Sequence, residues 1–425
     1  MGRKIVFDVS HLVTRLSHTA TSGVDRVDLA YARYLTQGPV RACAGTQYGL
    51  FSPHVMSAER MRLLVELFER HQFEQDCSEG SEWLALRAKI LQGGAAAGPR
   101  PPRFRQIAWA RRFASQSAYR ALYGMGSMVP RDSIYLNVAQ HAFEHHRFFR
   151  WLDHRPDVVP VFLIHDLLPL DFPEFFPPGY EHRFQRRVET MIARARAIIT
   201  TSAQVGERIR AEYRERGLVP VPIHIEPLAS PLEWTPTRDD AEATLRSIPY
   251  FLVVSTIEPR KNHALLIEVW RSLIQRGISP PKLVLVGRRG WENEQTFREL
   301  DLAPDLQHYL VQVPSLPSAH LRALIKNAVA VLMPSFAEGY GIPVVEALSL
   351  GTPVICSDIP VFREISQDKA LLRSPIDGRG WLEAIESMMK ADSALREKYA
   401  QKARKFRPPT WDSYFNNVQN FLATL

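Results

Sequence analysis

Short apolar runs rich in Val, Ile, Leu and aromatic residues recur along this chain, separated by stretches with helical spacing. A first set predicts strands at IVFDV (5–9), IYLNV (134–138), VVPVFLI (158–164), AIIT (197–200) and VPIHI (221–225). A second set predicts them at YFLVVST (250–256), KLVLVG (282–287), YLVQV (309–313), AVLMPS (330–335) and PVICS (353–357). Between the runs, stripes such as Val24, Val27, Tyr31, Tyr34 and Leu35 predict amphipathic helices. Strands alternating with helices predict parallel sheets in an α/β fold.

The two sets part at PLASPLEWTPTRDD (227–240), which carries Pro and Asp and has no periodicity, so a domain boundary falls there. The expected organisation is two Rossmann-like domains, over residues 1–232 and 245–400. Residues 401–425 are expected to form a docking helix that can cross back to the first domain, with Trp411, Tyr414, Phe415, Val418 and Leu422 as its apolar stripe. The segment GGAAAGPRPP (93–102) reads as a surface excursion within the first domain.

Composition narrows the class. The chain has 425 residues, 45% hydrophobic and 23% charged, the balance of a water-soluble globular protein. No apolar run reaches the ~18 residues a spanning helix needs. The opening MGRKIVFDVSH leads straight into a strand and does not read as a signal peptide. Cys43, Cys77 and Cys356 share no metal-ligand spacing, and so few cysteines point to the reducing cytosol. The net charge of +8 fits nucleic acid, an anionic membrane surface or an anionic small substrate equally well.

The densest chemistry lies in AEGYGIPVVEALSLGTPVICSD. Glu338 stands beside Gly339, Tyr340 and Gly341, and Glu346 lies in the apolar helix that Pro343 opens. A glycine turn running into a helix N-terminus suits a phosphate. A carboxylate on so apolar a helix needs a partner, and a ligand rich in hydroxyls would be one. In VVSTIEPRKNH (253–263), Arg260 and Lys261 follow a strand and precede a helix for which Asn262 is a fitting N-cap. Two cations at that edge can neutralise a diphosphate. VGRRGWENE (286–294) repeats the junction, with Arg288 and Arg289 as further positive charge and Trp291 as packing. In the first domain, His165 and Asp166 follow a strongly apolar strand, where a His faces the same crevice from the opposite domain or else is a structural His hydrogen-bonded to Asp166. Near the N-terminus, Ser22 and Asp25 read as a capping box, which leaves Gly23 and Arg26 as weaker candidates for a phosphate or acceptor loop.

Walker, Gly-x-Gly-x-x-Gly, HExxH and paired CxxC patterns are missing, as is an Asp-x-Asp segment for a divalent ion. Residues 103–124 stand apart, with Arg105, Trp109, Arg111 and Arg112 among five arginines interleaved with aromatics. Such a helix fits an anionic lipid surface, or else packs with a solvated basic face.

EPRKNH, LVGRRGW and the AEGYGIPVVEALSLGTPVICSD stretch together resemble the retaining nucleotide-sugar glycosyltransferases of family four, which have the GT-B fold. HDLLPLDFPEF and SGVDR resemble the first domain of bacterial polysaccharide members. The resemblance implies an acceptor-binding first domain and a donor-binding second domain facing a central cleft, and transfer with retention and without metal or other cofactor. It places Arg260 and Lys261 on the donor diphosphate, Glu338 by the donor sugar and Glu346 on the ribose. It places Gly339, Tyr340 and Gly341 at the sugar and phosphates, and His165 by the reacting sugar. Gly23 matches the first-domain glycine loop only loosely. GDP-mannose is the favoured donor, and a saccharide or polyprenyl-linked saccharide the acceptor. The implied setting is the cytoplasm, peripheral on the inner face of the plasma membrane. A phosphorylase or epimerase on the same fold is the alternative. A basic nucleic-acid-binding protein is the non-enzymatic one, disfavoured because the arginines and lysines are scattered.

Overall fold

A computed structural model describes residues 3–15, 23–37, 43–47, 53–77, 86, 90, 129–230, 245 and 248–425. Within these residues the first domain holds β1 (Lys4–Asp8), β2 (Cys43–Gln47), β3 (His54–Met56), β4 (Ser133–Asn137), β5 (Val159–Ile164), β6 (Ala197–Thr200) and β7 (Ile223–Ile225). They form one sheet in the order β3-β2-β1-β4-β5-β6-β7, parallel except at the β2–β3 edge. The second domain holds β8 (Tyr250–Val254), β9 (Lys282–Val286), β10 (Leu310–Val313), β11 (Ala330–Met333), β12 (Val354–Ser357) and β13 (Leu371–Arg373). Their order is β10-β9-β8-β11-β12-β13, all parallel. In both sheets the order reverses beside the first strand, between β1 and β4 and between β8 and β11. The crevice above such a switch point is where open α/β sheets take ligands.

The strands are apolar because helices cover both faces. All four residues of β6, β11 and β12 are buried. The ten runs read from the sequence are all strands. Of the four edge strands, β3, β7 and β13 have three residues each, and β2 (CAGTQ) carries Ala and Gly, which strands disfavour.

The two domains share packing. One apolar cluster runs from Phe7, Val27 and Tyr31 of the first domain to Tyr340, Val344 and Phe362 of the second. The helix Trp411–Ala423 joins it, and its buried face is Trp411, Tyr414, Phe415, Val418 and Leu422. That helix starts at Trp411, because residues 394–404 form a separate helix of the second domain. It lies on the first-domain helix Gly23–Gln37: the hydroxyls of Tyr31 and Tyr414 are 2.7 Å apart, and Tyr34 stacks on Phe415 at 4.0 Å. Among the described residues no helix is long and apolar enough to cross a membrane.

Candidate active site

Two loops at the second-domain switch point hold the charged residues together. After β8 the chain makes a tight turn over Pro259–Lys261, and after β11 it runs through Ser335–Gly341 into the helix Ile342–Ser349. Phe336 N–H donates to the Arg260 carbonyl at 2.9 Å, which staples the loops. Glu338 sits between the cations. Its carboxylate accepts from Arg260 at 2.7 Å, Lys261 at 2.5 Å and Ser335 at 2.7 Å. Arg260 also reaches Glu258 at 2.7 Å and the Ala337 carbonyl at 2.6 Å, while its Nε is buried without a partner. Burial alone would raise the Glu338 carboxyl, but Lys261 and Arg260 outweigh it and bring it down to about 2. Burial, then the like charge of Arg260, lowers the Lys261 ammonium. The network is an ionised carboxylate spanning two cations, a group a diphosphate could replace.

Asn262 occupies the expected N-cap position without capping. It is left-handed (φ 55°), and its side chain donates to the carbonyls of Pro334 at 3.2 Å and Pro375 at 2.9 Å. The tight turn needs the αL residue, so its amide ties the β8 loop to the β11 and β13 loops instead.

The Gly339–Gly341 turn meets the first domain. A Cβ on Gly339 would lie 2.7 Å from the His165 carbonyl oxygen, so no side chain fits between the domains there. Gly341 has φ 106° at the helix start, a conformation L-residues rarely adopt. The Tyr340 hydroxyl donates to the Leu228 carbonyl at 2.8 Å, so this ring anchors the turn to the interdomain segment.

In the first domain, His165 follows β5 and its Nε2 lies 2.8 Å from the Val138 carbonyl oxygen after β4. It is not paired with Asp166. Burial lowers the imidazole to about 4, so the ring is neutral at pH 7. Asp166 is a member of the site that the motif reading left aside. Its carboxyl is raised by burial, feels Arg260, Glu338 and Lys261, and accepts from Leu168 N–H at 3.1 Å. Its position after His165 at a strand end was the available signal.

Gly23 and Arg26 reach the second domain from the start of the first-domain helix. A Cβ on Gly23 would be 3.3 Å from Ile342 Cδ1, and Arg26 Nη1 donates to Glu346 Oε1 at 3.2 Å. Asp25 serves Arg15 at 2.9 Å and His11 at 3.4 Å, and Ser22 lies outside the described residues. Arg289 does not rim the site, because it pairs with Asp301 on the next helix. Arg105, Trp109, Arg111 and Arg112 lie outside the described residues. No group of three or more His, Cys, Asp or Glu among the described residues is placed to hold a metal ion.

Two Rossmann-like domains with a switch-point crevice facing a cleft are the GT-B architecture. Over its full length the chain superposes on Anabaena HepE, solved with UDP and glucose, with TM-score 0.61 at 16% identity and all of both chains covered. A sucrose-phosphate synthase from Thermosynechococcus elongatus follows with TM-score 0.54 at 19% identity, covering 78% of this chain and 82% of that one. At such identities the likeness is one of fold.

Residues 240–406 match the family model described as glycosyl transferases group 1. The chain is 32% identical to the serotype-specific mannosyltransferase WbdA of Escherichia coli, over 49% of this chain and 27% of WbdA. It is 27% identical to the O-antigen chain mannosyltransferase RfbU of Salmonella typhimurium, over 55% of this chain and 61% of RfbU. The chain thus resembles bacterial polysaccharide glycosyltransferases while matching about a quarter of the first relative and three fifths of the second.

Proposed function

We propose that the chain is a retaining glycosyltransferase. It moves a hexose, with mannose favoured, from a nucleoside-diphosphate sugar to a saccharide or lipid-linked saccharide in bacterial surface polysaccharide synthesis. The observation that carries this reading is the Arg260–Lys261–Glu338 network at the second-domain switch point, inside the segment that matches group 1 glycosyl transferases.

In this reading the donor diphosphate displaces Glu338 from the two cations, and Glu338 turns to the hydroxyls of the donor sugar. The bond between the anomeric carbon and the phosphate oxygen breaks, and charge grows on the leaving diphosphate. Arg260 and Lys261 stabilise it without a divalent ion. The acceptor oxygen attacks the same face, and its proton passes to the leaving phosphate. His165, neutral and held by the Val138 carbonyl, lines the sugar's side of the cleft. With Glu338 accepting from the donor sugar's hydroxyls, no residue of the site is placed as an obvious nucleophile, which favours same-face attack over a glycosyl-enzyme.

A thermal-shift screen with GDP-, UDP- and ADP-sugars tests the donor, since a ligand at 100 times its Kd stabilises by about 2.7 kcal/mol. Stabilisation by GDP-mannose, followed by transfer to a saccharide with retained anomeric configuration, is expected. No stabilisation by any nucleotide-sugar would defeat the reading. Turnover of the nucleotide-sugar without acceptor would point to an epimerase.

A further inference from the structure

Glu346 is an ionisable carboxyl in an apolar place. It sits among Val344, Val345, Ala347 and Leu348 on its helix and is 1% exposed. Its counter-charge comes from the other domain: Arg26 reaches across the cleft, with its side chain 19% exposed. Burial raises the Glu346 carboxyl to about 7, and Arg26 is the group that draws it back.

The charged groups on surrounding elements are engaged elsewhere. Arg363 pairs with Asp358, Glu364 accepts from Ala203 N–H at 2.7 Å, and Arg404 lies 3.5 Å from Glu397. Arg322 and Lys326 of the helix Ser318–Asn327 have interactions of their own. Beside Arg26, Asp25 serves Arg15 and Asp28 serves His11 at 3.0 Å.

We propose that Arg26 is a positioning residue for the donor, keeping Glu346 anionic so that its carboxylate can accept hydrogen bonds from the vicinal diol of the nucleotide's ribose. The proposal rests on the reading that Glu346 receives the ribose. An ionised carboxylate accepts from two hydroxyls at once, whereas a protonated one spends an oxygen as a donor. Because Arg26 belongs to the first domain, opening the cleft removes the counter-charge. Ribose recognition is thereby tied to the closed arrangement.

The test is nucleoside-diphosphate affinity by calorimetry from pH 6 to 9, using GDP and UDP with the wild type, Arg26→Ala, Arg26→Lys and Glu346→Gln. Glu346→Gln supplies the baseline, since the phosphates titrate too. Against it, wild-type affinity should fall toward tenfold per pH unit below about 7. In Arg26→Ala the fall should begin about one unit higher, leaving roughly fivefold weaker binding at pH 7 and recovery by pH 9. Arg26→Lys should restore the wild-type profile, and it keeps the test usable if the alanine variant folds poorly. An Arg26→Ala profile superimposed on wild type, or a loss uniform in pH, would overturn the proposal. If Glu346→Gln binds as well as wild type at every pH, the ribose reading itself fails.

Discussion

The indole N–H of Trp291, in the second domain, donates to the carbonyl oxygen of Phe175, in the first, at 2.8 Å. Phe176 stacks near the same indole at 6.0 Å, and Phe175 stacks on Phe336 at 5.4 Å. Phe336 lies on the loop that carries Glu338, so this clasp ties the first domain to the loop of the charged network. Trp291→Ala removes one hydrogen bond and one aromatic pair, each contributing about 0.5–1.5 kcal/mol. The expected result is a several-fold higher KM for the nucleotide-sugar and a modest fall in Tm. Unaltered steady-state kinetics would show that the clasp has no part in donor binding.

Replacing Arg260 or Lys261 with Ala should weaken nucleoside-diphosphate binding and slow transfer. A hydrogen bond to a charged group contributes about 1.5–3 kcal/mol, or roughly ten- to a hundredfold. Each change also strips a partner from buried Glu338, so folding should be monitored alongside, with Glu338→Gln added to relieve the unpaired charge. Titration calorimetry decides it: a double variant that binds GDP and UDP as tightly as wild type rules out a diphosphate site here.

If cations and a helix N-terminus answer the diphosphate charge, chelation should leave transfer nearly intact. Rates measured before and after EDTA, then after added magnesium or manganese, provide the check. Loss on chelation with recovery on adding metal would mean that a divalent ion takes part.

The sequence made some of this site legible because strand ends are local. Glycine and charged residues directly after an apolar run mark the crevice edge, so Arg260, Lys261, Glu338 and His165 could be placed before any coordinates. Partnerships across the cleft follow no period. Nothing near Trp291 names Phe175, and nothing near Glu346 names Arg26, 320 residues away. Arg289 is a local case: its neighbours suggested the site, while Asp301 on the next helix of the same domain claims it. The strands β3 (HVM) and β13 (LLR) have three residues each and lie in no longer β-rich run, whereas β7, equally short, lies within VPIHI.

Buried neutral histidines should give the fold an acid-side slope. Burial, then Lys261, lowers His263 to about 3. The unfolded chain takes up its proton near pH 6.5, whereas the folded chain does not until about pH 3. This stability is therefore full above pH 6.5 and lost as pH falls, by about 1.4 kcal/mol per unit. Glu346 and Asp28, raised to about 7 and about 6, act in the opposite sense, so the raw pH curve mixes the two effects. The clean measurement is the stability difference between wild type and His263→Gln in urea at several pH values. It should shift by about that slope in favour of the variant as pH falls from 6.5 toward 4.5. A pH-independent difference would show that His263 titrates normally.

The acceptor side leads to the basic segment 103–124. If the acceptor is lipid-linked, the protein meets it at a membrane. In sequence, Arg105, Arg111 and Arg112 accompany Trp109, a composition that suits an anionic lipid surface. Each basic residue near an anionic surface contributes about 1 kcal/mol, and salt screens the attraction within about 8–10 Å. The protein should sediment with phosphatidylserine- or cardiolipin-containing vesicles, release as salt rises, and lose most binding when the three arginines become Glu. Equal sedimentation with neutral vesicles would point to apolar adsorption. Full retention by the triple variant would show that these arginines carry no membrane binding.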